Sequence, residues 1–416
     1  MKPISDILIL FLTRILRLFS YGLLSVILVI YLAQIGLSKT QIGLLLSLTL
    51  LGDVVVSLWI TLNADSFGRK RMLIISSLLI VLAGVLFIVT NNLILLLLAA
   101  IIGVISPSGN EVGPFLPIEQ AALSQITSDR SRTRIFARYH LCGFFATALG
   151  SLFAGVIIRL MLNAGASSLG SYRVIIFLYA ALGVMIGILF TRLSSGIEAL
   201  LKNGVKDTRK HFGLHDSRSK VFKLSALFAV DAFGGGFILQ SIIAYWFYIR
   251  FQTDPVILGG IFFGMNILAG FSGLLAARIA SRIGLVNTMV FTHLPSNLLL
   301  ILVPLMPNLP LAISVLLLRS VIAQMDVPTR QSYTMAVVRP DERSAAAGIT
   351  NIARSLGASA SPVLAVPLLA SASLLNFPFF LAGGIKIVYD LMLYRCFKTI
   401  KPREERIINP LTENKL

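Results

Sequence analysis

Charged side chains interrupt the long apolar runs of this chain, and a charge inside such a run is costly enough to mark a candidate site. The primary candidates for holding a ligand or a mobile ion are Arg17, Asp53, Glu111, Glu119, Asp231, Asp326, Arg330 and Arg354. The same runs contain Arg14, Arg319, Lys386 and Asp390, which gives six basic and six acidic groups in all. Because the two signs balance, the count does not indicate the charge of a ligand.

Some of the acidic groups could carry a proton, because burial favours the neutral form of a carboxyl and a nearby cation favours the charged form. By position these are Asp53, Glu111, Glu119 and Asp231. Glu111 follows the helix-breaking segment 106–110, Ser-Pro-Ser-Gly-Asn, where free backbone groups could bind a solute. Glu111 could equally well do no more than satisfy that broken backbone.

Several of these charges also have a structural explanation. Two pairs of opposite charge are spaced four residues apart, which allows an ion pair within one helix. These pairs are Asp326–Arg330 and Lys386–Asp390. Arg14 and Arg17 lie in the first apolar run and could extend along it to the membrane surface.

A basic turn, Asp-Ser-Phe-Gly-Arg-Lys-Arg at residues 65–71, joins the second apolar run to the third. A carboxylate is favoured at a helix N-terminus by about 0.3–1 kcal/mol, an interaction weak enough to break and re-form. The turn therefore contains candidates for a conformational latch, namely Asp65, Gly68, Arg69, Lys70 and Arg71. Its excess of positive charge also fits a simple topological signal for the cytoplasmic side.

Twelve apolar runs of membrane-spanning length position these residues. The 416-residue chain is 56% hydrophobic and 13% charged, whereas a soluble domain has about 25% charged residues. A spanning helix needs about 20 residues, so the sequence predicts an all-α integral membrane protein. The runs cover residues 7–33, 39–64, 70–90, 93–126, 133–159, 171–195, 222–250, 256–280, 286–305, 309–338, 344–370 and 376–397.

Basic residues are concentrated in alternate connections between the runs, which places both termini in the cytoplasm of a multi-pass protein of the cell membrane. The net charge of +18 follows this pattern, so we expect no nucleic-acid partner. The cysteines and histidines show no metal-ligand spacing. The chain also lacks a GxxxxGK[ST] phosphate loop and a nucleophile–base constellation, so we expect a protein that is neither an enzyme nor a holder of a metal or cofactor.

The polar stretch 196–221 divides the chain into an N-terminal six-helix bundle, 1–195, and a C-terminal one, 222–397, followed by a tail, 398–416. The two halves match in order along the chain. The matched pairs are Gly22 with Gly236, Tyr31 with Tyr245, Gly68 with Gly284, Pro117 with Pro328, Gln120 with Gln331 and Arg132 with Arg343.

The same offsets align Arg17 with Asp231 and Glu119 with Arg330. Each alignment places opposite charges at equivalent positions of the two halves. We hypothesise that these groups form gates between the halves, or exchange partners as the halves move.

The basic turn resembles the signature G-x-x-x-D-R/K-x-G-R-R/K-R/K of the major facilitator superfamily. Asp65, Gly68, Arg69, Lys70 and Arg71 match it, while Thr61 and Ser66 depart from it. The resemblance covers all twelve runs. It implies a fold of twelve transmembrane helices in two pseudo-twofold-related six-helix bundles, in which Asp65 docks on helix eleven and Arg69 pairs with a polar group of helix four.

The resemblance also implies the activity of a secondary carrier, which moves a small solute by alternating access. We expect coupling to an ion gradient, most simply of protons, and a monomer whose partners are the solute and the lipid bilayer. The segment Gly150–Gly155 resembles the efflux motif of the family without its proline, and this weakly favours export. A lipid flippase, a channel and a non-transporting sensor remain alternatives.

Overall fold

The computed structural model describes residues 3–127, 129–198, 214–339 and 342–400, and these residues form helices and loops without a strand. The α-helices are α1 (Pro3–Gln34), α2 (Lys39–Phe67), α3 (Arg69–Val89), α4 (Leu93–Ile102), α5 (Phe115–Ile126), α6 (Asp129–Asn163), α7 (Ser168–Thr191), α8 (Arg218–Gly236), α9 (Gln240–Phe251), α10 (Pro255–Ile283), α11 (Leu285–Leu302), α12 (Leu309–Ile322), α13 (Asp326–Val337), α14 (Arg343–Ala360), α15 (Pro362–Leu368) and α16 (Phe377–Phe397). Short 3-10 turns lie at Ser195–Ile197 and Val303–Leu305.

Ten helical segments of the described chain are long and apolar enough to cross a membrane, and Leu93–Ile102 is a shorter apolar helix. The predicted all-α membrane fold is therefore confirmed. The two predicted runs that fall outside the ten are the fourth, which α4 and α5 share, and the eleventh, which α14 and α15 share.

Four of the predicted runs are interrupted. The fourth is unwound over residues 103–114, as the proline and glycine of its 106–110 segment predict. The seventh breaks at residues 237–239, the tenth at 323–325 and the eleventh at residue 361. Each interruption frees backbone groups inside the membrane, where they must find partners within the protein.

The first helix of each half packs closely against the fifth helix of the same half. A Cβ atom on Gly22 of α1 would lie 2.2 Å from the carbonyl oxygen of Thr147 on α6. A Cβ atom on Gly236 of α8 would lie 2.5 Å from the carbonyl oxygen of Ala358 on α14. The matched glycines thus make the same close helix contact in both halves, as the internal repeat predicts.

Two further matched glycines, Gly68 and Gly284, are single-residue connections between helices. Gly68 lies between α2 and α3 with φ of 99°, and Gly284 lies between α10 and α11 with φ of 87°. L-residues with a side chain rarely adopt this conformation, which explains why both turns use glycine.

The described residues fall into two compact units, whose boundaries differ from the predicted division at 196–221. Unit 1 comprises residues within 1–203, 238–267 and 362–375, and unit 2 comprises residues within 204–237, 268–361 and 376–416. Unit 1 therefore contains α9, the start of α10 and α15 in addition to the first-half helices. Residues 199–213 of the predicted linker and 401–416 of the tail lie outside the described residues.

Candidate functional site

A cluster of four charges, called the Arg17 cluster, lies within unit 1. It consists of Arg14, Arg17, Glu111 and Glu119. The Arg17 guanidinium donates to both carboxylate oxygens of Glu119 at 2.8 and 2.6 Å, and its Nε donates to Glu111 Oε1 at 2.8 Å. Arg14 Nη1 lies 2.7 Å from Glu111 Oε2. The cluster contains two positive and two negative groups, so it carries no net charge.

The local sequence explains this arrangement. Arg14 and Arg17 are three residues apart on α1 and so share one face of that helix, while Glu111 lies in the unwound segment and Glu119 lies on α5. Arg17 is fully buried, which excludes the alternative that its side chain extends to the membrane surface in this structure. Tyr139 on α6 donates to Glu119 Oε2 at 2.5 Å, which adds a neutral partner that the sequence did not reveal.

Asp53 on α2 is the acidic candidate of unit 1 that stands outside this cluster. Its Oδ1 accepts hydrogen bonds from the backbone N–H of Gly113 at 2.7 Å and from the hydroxyl of Ser57 at 3.1 Å. Among the described residues, no basic group lies within 4.0 Å of its carboxylate. Asp53 therefore faces the unwound segment without a cation to neutralise it.

The second group of charges, called the Asp231 cluster, lies within unit 2 and consists of Asp231, His293, Asp326, Arg330, Arg354, Lys386 and Asp390. Asp231 on α8 is its centre, with Lys386 Nζ at 2.6 Å, Arg354 Nη1 at 3.1 Å and Arg330 Nη1 at 3.4 Å. Arg330 also binds Asp326 at 2.7 Å, one turn away on α13, which confirms that these two residues pair within their helix. Apart from the histidine, three cations balance three carboxylates.

Asp390 on α16 does not pair with Lys386, so the expected pair within one helix is wrong here. Lys386 binds Asp231 instead, and Asp390 binds His293 Nδ1 at 2.8 Å and Asn297 Nδ2 at 2.9 Å. His293 Nε2 lies 3.8 Å from Asp231 Oδ1, so the imidazole stands between two carboxylates. The sequence analysis missed His293 and Asn297, although their four-residue spacing in an apolar run was a usable signal.

The contacts within the two clusters can be compared with the predicted pairing of charges between the two halves. Arg17 and Glu119 are bound to each other in unit 1, and Asp231 and Arg330 are bound to each other in unit 2. Each charge is thus already neutralised inside its own unit. An exchange of these partners during a transport cycle stays a prediction.

The basic turn forms a compact network within unit 1. Arg69 Nε donates to Asp65 Oδ1 at 2.7 Å, and Arg69 Nη1 donates to Gln125 Oε1 at 2.9 Å. Gln125 lies on α5, the second part of the fourth run, so the structure provides the helix-four partner that the family resemblance implies. Docking of Asp65 on helix eleven stays a prediction. The Arg71 side chain is exposed.

Glu198 completes this network and was not anticipated. Its carboxylate accepts hydrogen bonds from the backbone N–H groups of Arg69 at 2.7 Å and Lys70 at 3.3 Å, which places a negative charge at the N-terminus of α3. Lys70 Nζ donates to the carbonyl oxygen of Leu193 at 2.8 Å. The turn is therefore tied to the segment that follows α7.

A neutral network, called the Gln240 network, lies elsewhere in unit 1 and consists of Gln240, Ser25, Ser151 and Asn266. Gln240 Nε2 donates to Ser25 Oγ at 2.8 Å and Ser151 Oγ at 3.2 Å, and its Oε1 accepts from Asn266 Nδ2 at 3.2 Å. The residue links α1, α6 and α10 at the point where α9 begins. None of these side chains is charged, so the pattern of intramembrane charges in the sequence does not indicate them.

A duplicated set of membrane-spanning helices that buries fixed, mutually neutralised charges is typical of a solute carrier. The chain belongs to the Major Facilitator Superfamily, whose family model matches residues 10–362. The membrane protein YJR124C of Saccharomyces cerevisiae, described as uncharacterized, is 30% identical over 433 residues, which cover 97% of this chain and 96% of that protein.

Solved structures show the same fold. A D-xylose-proton symporter superposes with a TM-score of 0.73 at 13% identity, covering 94% of this chain and 97% of that chain. A bacterial homolog of the human lysosomal transporter Spinster, in an inward-facing and occupied conformation, gives a TM-score of 0.71 at 15% identity, again covering 94% and 97%. The family and these neighbours are transporters rather than enzymes. The identities are low, so the likeness to the solved structures concerns the fold.

Proposed function

We propose that the chain is a secondary active transporter that moves a small solute across the cell membrane by alternating access, driven by a proton gradient. The observation that carries this proposal is the pair of charge-balanced clusters, one within each unit of a duplicated membrane fold. Balanced clusters keep polar groups inside the membrane at a tolerable cost, because each charge has a partner.

The interrupted helices support alternating access. Hinges in transporters are short segments that absorb a change in backbone angles. The breaks at 237–239, 323–325 and 361 each separate a helix into two parts that could reorient independently. The unwound segment 103–114 contains Glu111 and leaves further backbone groups outside any helix. One of them, the N–H of Gly113, donates to Asp53.

Asp53 is the group that we propose for proton coupling. The other candidate carboxylates each have a basic partner within 4.0 Å; these are Glu111, Glu119, Asp231 and Asp326. A carboxylate without a basic partner is costly inside a membrane protein. Binding a proton neutralises Asp53 and removes this cost, which is absent for the carboxylates that already have a basic partner. The paired groups would instead hold the fixed architecture of the two units. No bound cofactor is part of this proposal.

Three further features belong to the proposal. The basic connections between the helices support a protein of the plasma membrane whose two termini lie in the cytoplasm. The glycine-rich segment Gly150–Gly155 of α6 supports export, in keeping with its resemblance to an efflux motif. Each charge cluster is complete within one chain, and this supports a monomer.

The test uses purified protein in liposomes, with a solute first found by a thermal-shift screen of the wild-type protein. Asp53→Asn should retain exchange of labelled for unlabelled solute but lose accumulation driven by a pH gradient, since the variant carries no proton. Asp216→Asn is a matched control, because Asp216 is an exposed carboxylate that pairs with exposed Arg339.

Gradient-driven accumulation that survives in Asp53→Asn would remove Asp53 from the coupling step. Wild-type accumulation that is unaffected by collapse of the pH gradient would remove proton coupling altogether. Equilibration through the protein without accelerated exchange would favour a channel over a carrier.

A further inference from the structure

His293 on α11 has a carboxylate oxygen facing each of its two ring nitrogens. Nδ1 lies 2.8 Å from Asp390 Oδ1, and Nε2 lies 3.8 Å from Asp231 Oδ1. All three side chains are buried, with 5% of His293, 4% of Asp231 and none of Asp390 exposed. The imidazole is therefore enclosed between two negative charges that water cannot screen.

The shorter of the two contacts determines where the neutral ring carries its proton. At 2.8 Å, Nδ1 of His293 and Oδ1 of Asp390 need a hydrogen between them. An ionised carboxylate only accepts hydrogen bonds, so Nδ1–H is the donor and the lone pair of the neutral ring lies on Nε2. That lone pair faces Asp231 Oδ1. Nε2 is thus the atom that accepts a further proton, and the proton turns it into a donor directed at a carboxylate.

Asp390 has no cationic partner unless His293 supplies one. Asn297 Nδ2 donates to Asp390 Oδ2 at 2.9 Å, but an amide is neutral. Among the described residues, His293 is the only basic side chain within 4.0 Å of the Asp390 carboxylate. The three cations of the Asp231 cluster bind Asp231 instead. A proton on the imidazole would therefore give this buried carboxylate a positive partner, and a nearby carboxylate favours the charged form of a histidine.

His293 and Lys386 are directed at the same oxygen of Asp231. Lys386 Nζ lies 2.6 Å from Oδ1, which is the oxygen that His293 Nε2 faces at 3.8 Å. Arg330 and Arg354 bind the other oxygen, Oδ2. A separation of 3.8 Å is too long for a hydrogen bond, but a movement of about 1 Å would form one. A protonated His293 would be a second cation at Oδ1, so proton binding and the Lys386 contact oppose each other.

The helices around α11 supply the other titratable side chains of this part of unit 2. They are Asp231 on α8, Arg319 on α12, Asp326, Arg330 and Tyr333 on α13, Arg354 on α14, and Lys386 and Tyr389 on α16. The Tyr389 ring lies edge to face with the imidazole at 5.9 Å. Because the cluster is balanced apart from its histidine, a bound proton gives it one excess positive charge, and the cation on the shared oxygen is Lys386.

We propose that His293 Nε2 is a proton-binding site of unit 2, and that the bound proton displaces Lys386 from Asp231 Oδ1. The proton comes from water and forms an N–H bond at Nε2, while a hydrogen bond between Lys386 and Asp231 is lost. The site is separate from Asp53 in unit 1, and it stands whether or not Asp53 couples transport to a proton gradient.

The experiment follows the imidazole 15N signals of the full-length protein, labelled on its histidine rings, in neutral detergent. The pH is lowered from about 9 to 5, which spans the interval in which an unperturbed histidine changes its charge. The two nitrogens of a neutral imidazole give well-separated signals, whereas those of an imidazolium are nearly equal. The chain has four histidines, and the signals missing from His293→Gln belong to His293.

The variants compared with the wild type are Lys386→Met, Asp390→Asn and the control Lys223→Met, whose lysine is exposed on α8. The wild-type His293 should be an imidazolium at pH 5. Lys386→Met removes the competing cation and should bind the proton about tenfold more tightly or better, whereas Lys223→Met should titrate like the wild type. Asp390→Asn removes the anionic partner and should bind the proton at least about tenfold more weakly, since a close charge changes proton affinity by about tenfold to a thousandfold.

A neutral His293 at pH 5 in the wild type would overturn the proposal, and this result requires no variant to fold. Lys386→Met leaves Arg330 and Arg354 bound to Asp231, so this variant should remain folded. Equal titration of His293 in the wild type and in Lys386→Met would overturn the displacement of Lys386. The measurement uses neither a solute nor a gradient, so its failure would leave the proposed transport function intact.

Discussion

Replacing Arg17 by glutamine should destabilise the protein strongly, because it removes the only cation bound to Glu119 in the Arg17 cluster. The substitution deletes two hydrogen bonds to Glu119, at 2.8 and 2.6 Å, and one to Glu111, at 2.8 Å. It also changes the charge of the cluster from zero to minus one in a region where Glu119 is fully buried. Breaking a buried ion pair from one side costs about 3–5 kcal/mol.

The partner of Arg17 can be identified by double substitution. Arg17→Gln combined with Glu119→Gln restores a neutral cluster, so we expect it to be more stable than Arg17→Gln by about 1–3 kcal/mol, within the range seen for coupled neighbours. Arg17→Gln combined with Asp231→Asn changes two clusters at once, and its cost should be the sum of the two single costs. The second combination also leaves the cations around Asp231 without their common partner.

The assay is the free energy of unfolding in mixed detergent micelles, or the melting temperature where unfolding is irreversible. Monodispersity of each variant by size-exclusion chromatography is the control for folding. Greater recovery in the Arg17–Asp231 combination than in the Arg17–Glu119 combination would refute pairing within unit 1 and favour a direct link between the halves.

Three further outcomes are expected. Gly22→Ala should lower the melting temperature sharply, because its new Cβ would lie 2.2 Å from a carbonyl oxygen of α6. Gly260→Ala is the control and should not lower it, because the space around its Cβ is open. Equal effects of the two substitutions would contradict the close contact at Gly22. The Ser217 hydroxyl and the backbone N–H of His215 lower the pKa of Glu342 from 4.5 to about 2, so this carboxylate stabilises the protein above pH 4.5 and loses that effect as the pH falls toward 2. Melting curves of wild type and Glu342→Gln should therefore converge over that pH interval, and a constant difference would be evidence against it. Gln240→Ala should cost about 1–3 kcal/mol by leaving buried polar partners unsatisfied, while alanine at exposed Gln331 should cost little, which melting temperatures of the two variants can compare.

Much of the fold could be predicted because bilayer thickness fixes the length of a spanning helix and lipid excludes unpaired backbone groups. The break in the fourth run was readable from Pro107 and Gly109. Its extent was not, since α4 ends at Ile102 and α5 begins only at Phe115. The unwound residues are stabilised by tertiary contacts, such as the hydrogen bond from Gly113 to Asp53, and those are invisible in local sequence.

The sequence predicts which charges lie in the apolar runs, and it does not predict the contacts that they make in this structure. Arg17, which aligns with Asp231 between the halves, binds Glu119, 102 residues along the chain. Sequence spacing reveals partners within one helix, as for Asp326 and Arg330. Partners on different helices depend on how the helices pack, which also explains why His293 was missed.

The claim that the chain is a carrier is tested most directly by counterflow in proteoliposomes. Vesicles containing wild-type protein are loaded with excess unlabelled solute and diluted into a trace of labelled solute, with no ion gradient present. A carrier should give transient accumulation of label above its external concentration, because an alternating-access protein exchanges one solute for another. Simple equilibration of the label, without an overshoot, would contradict it.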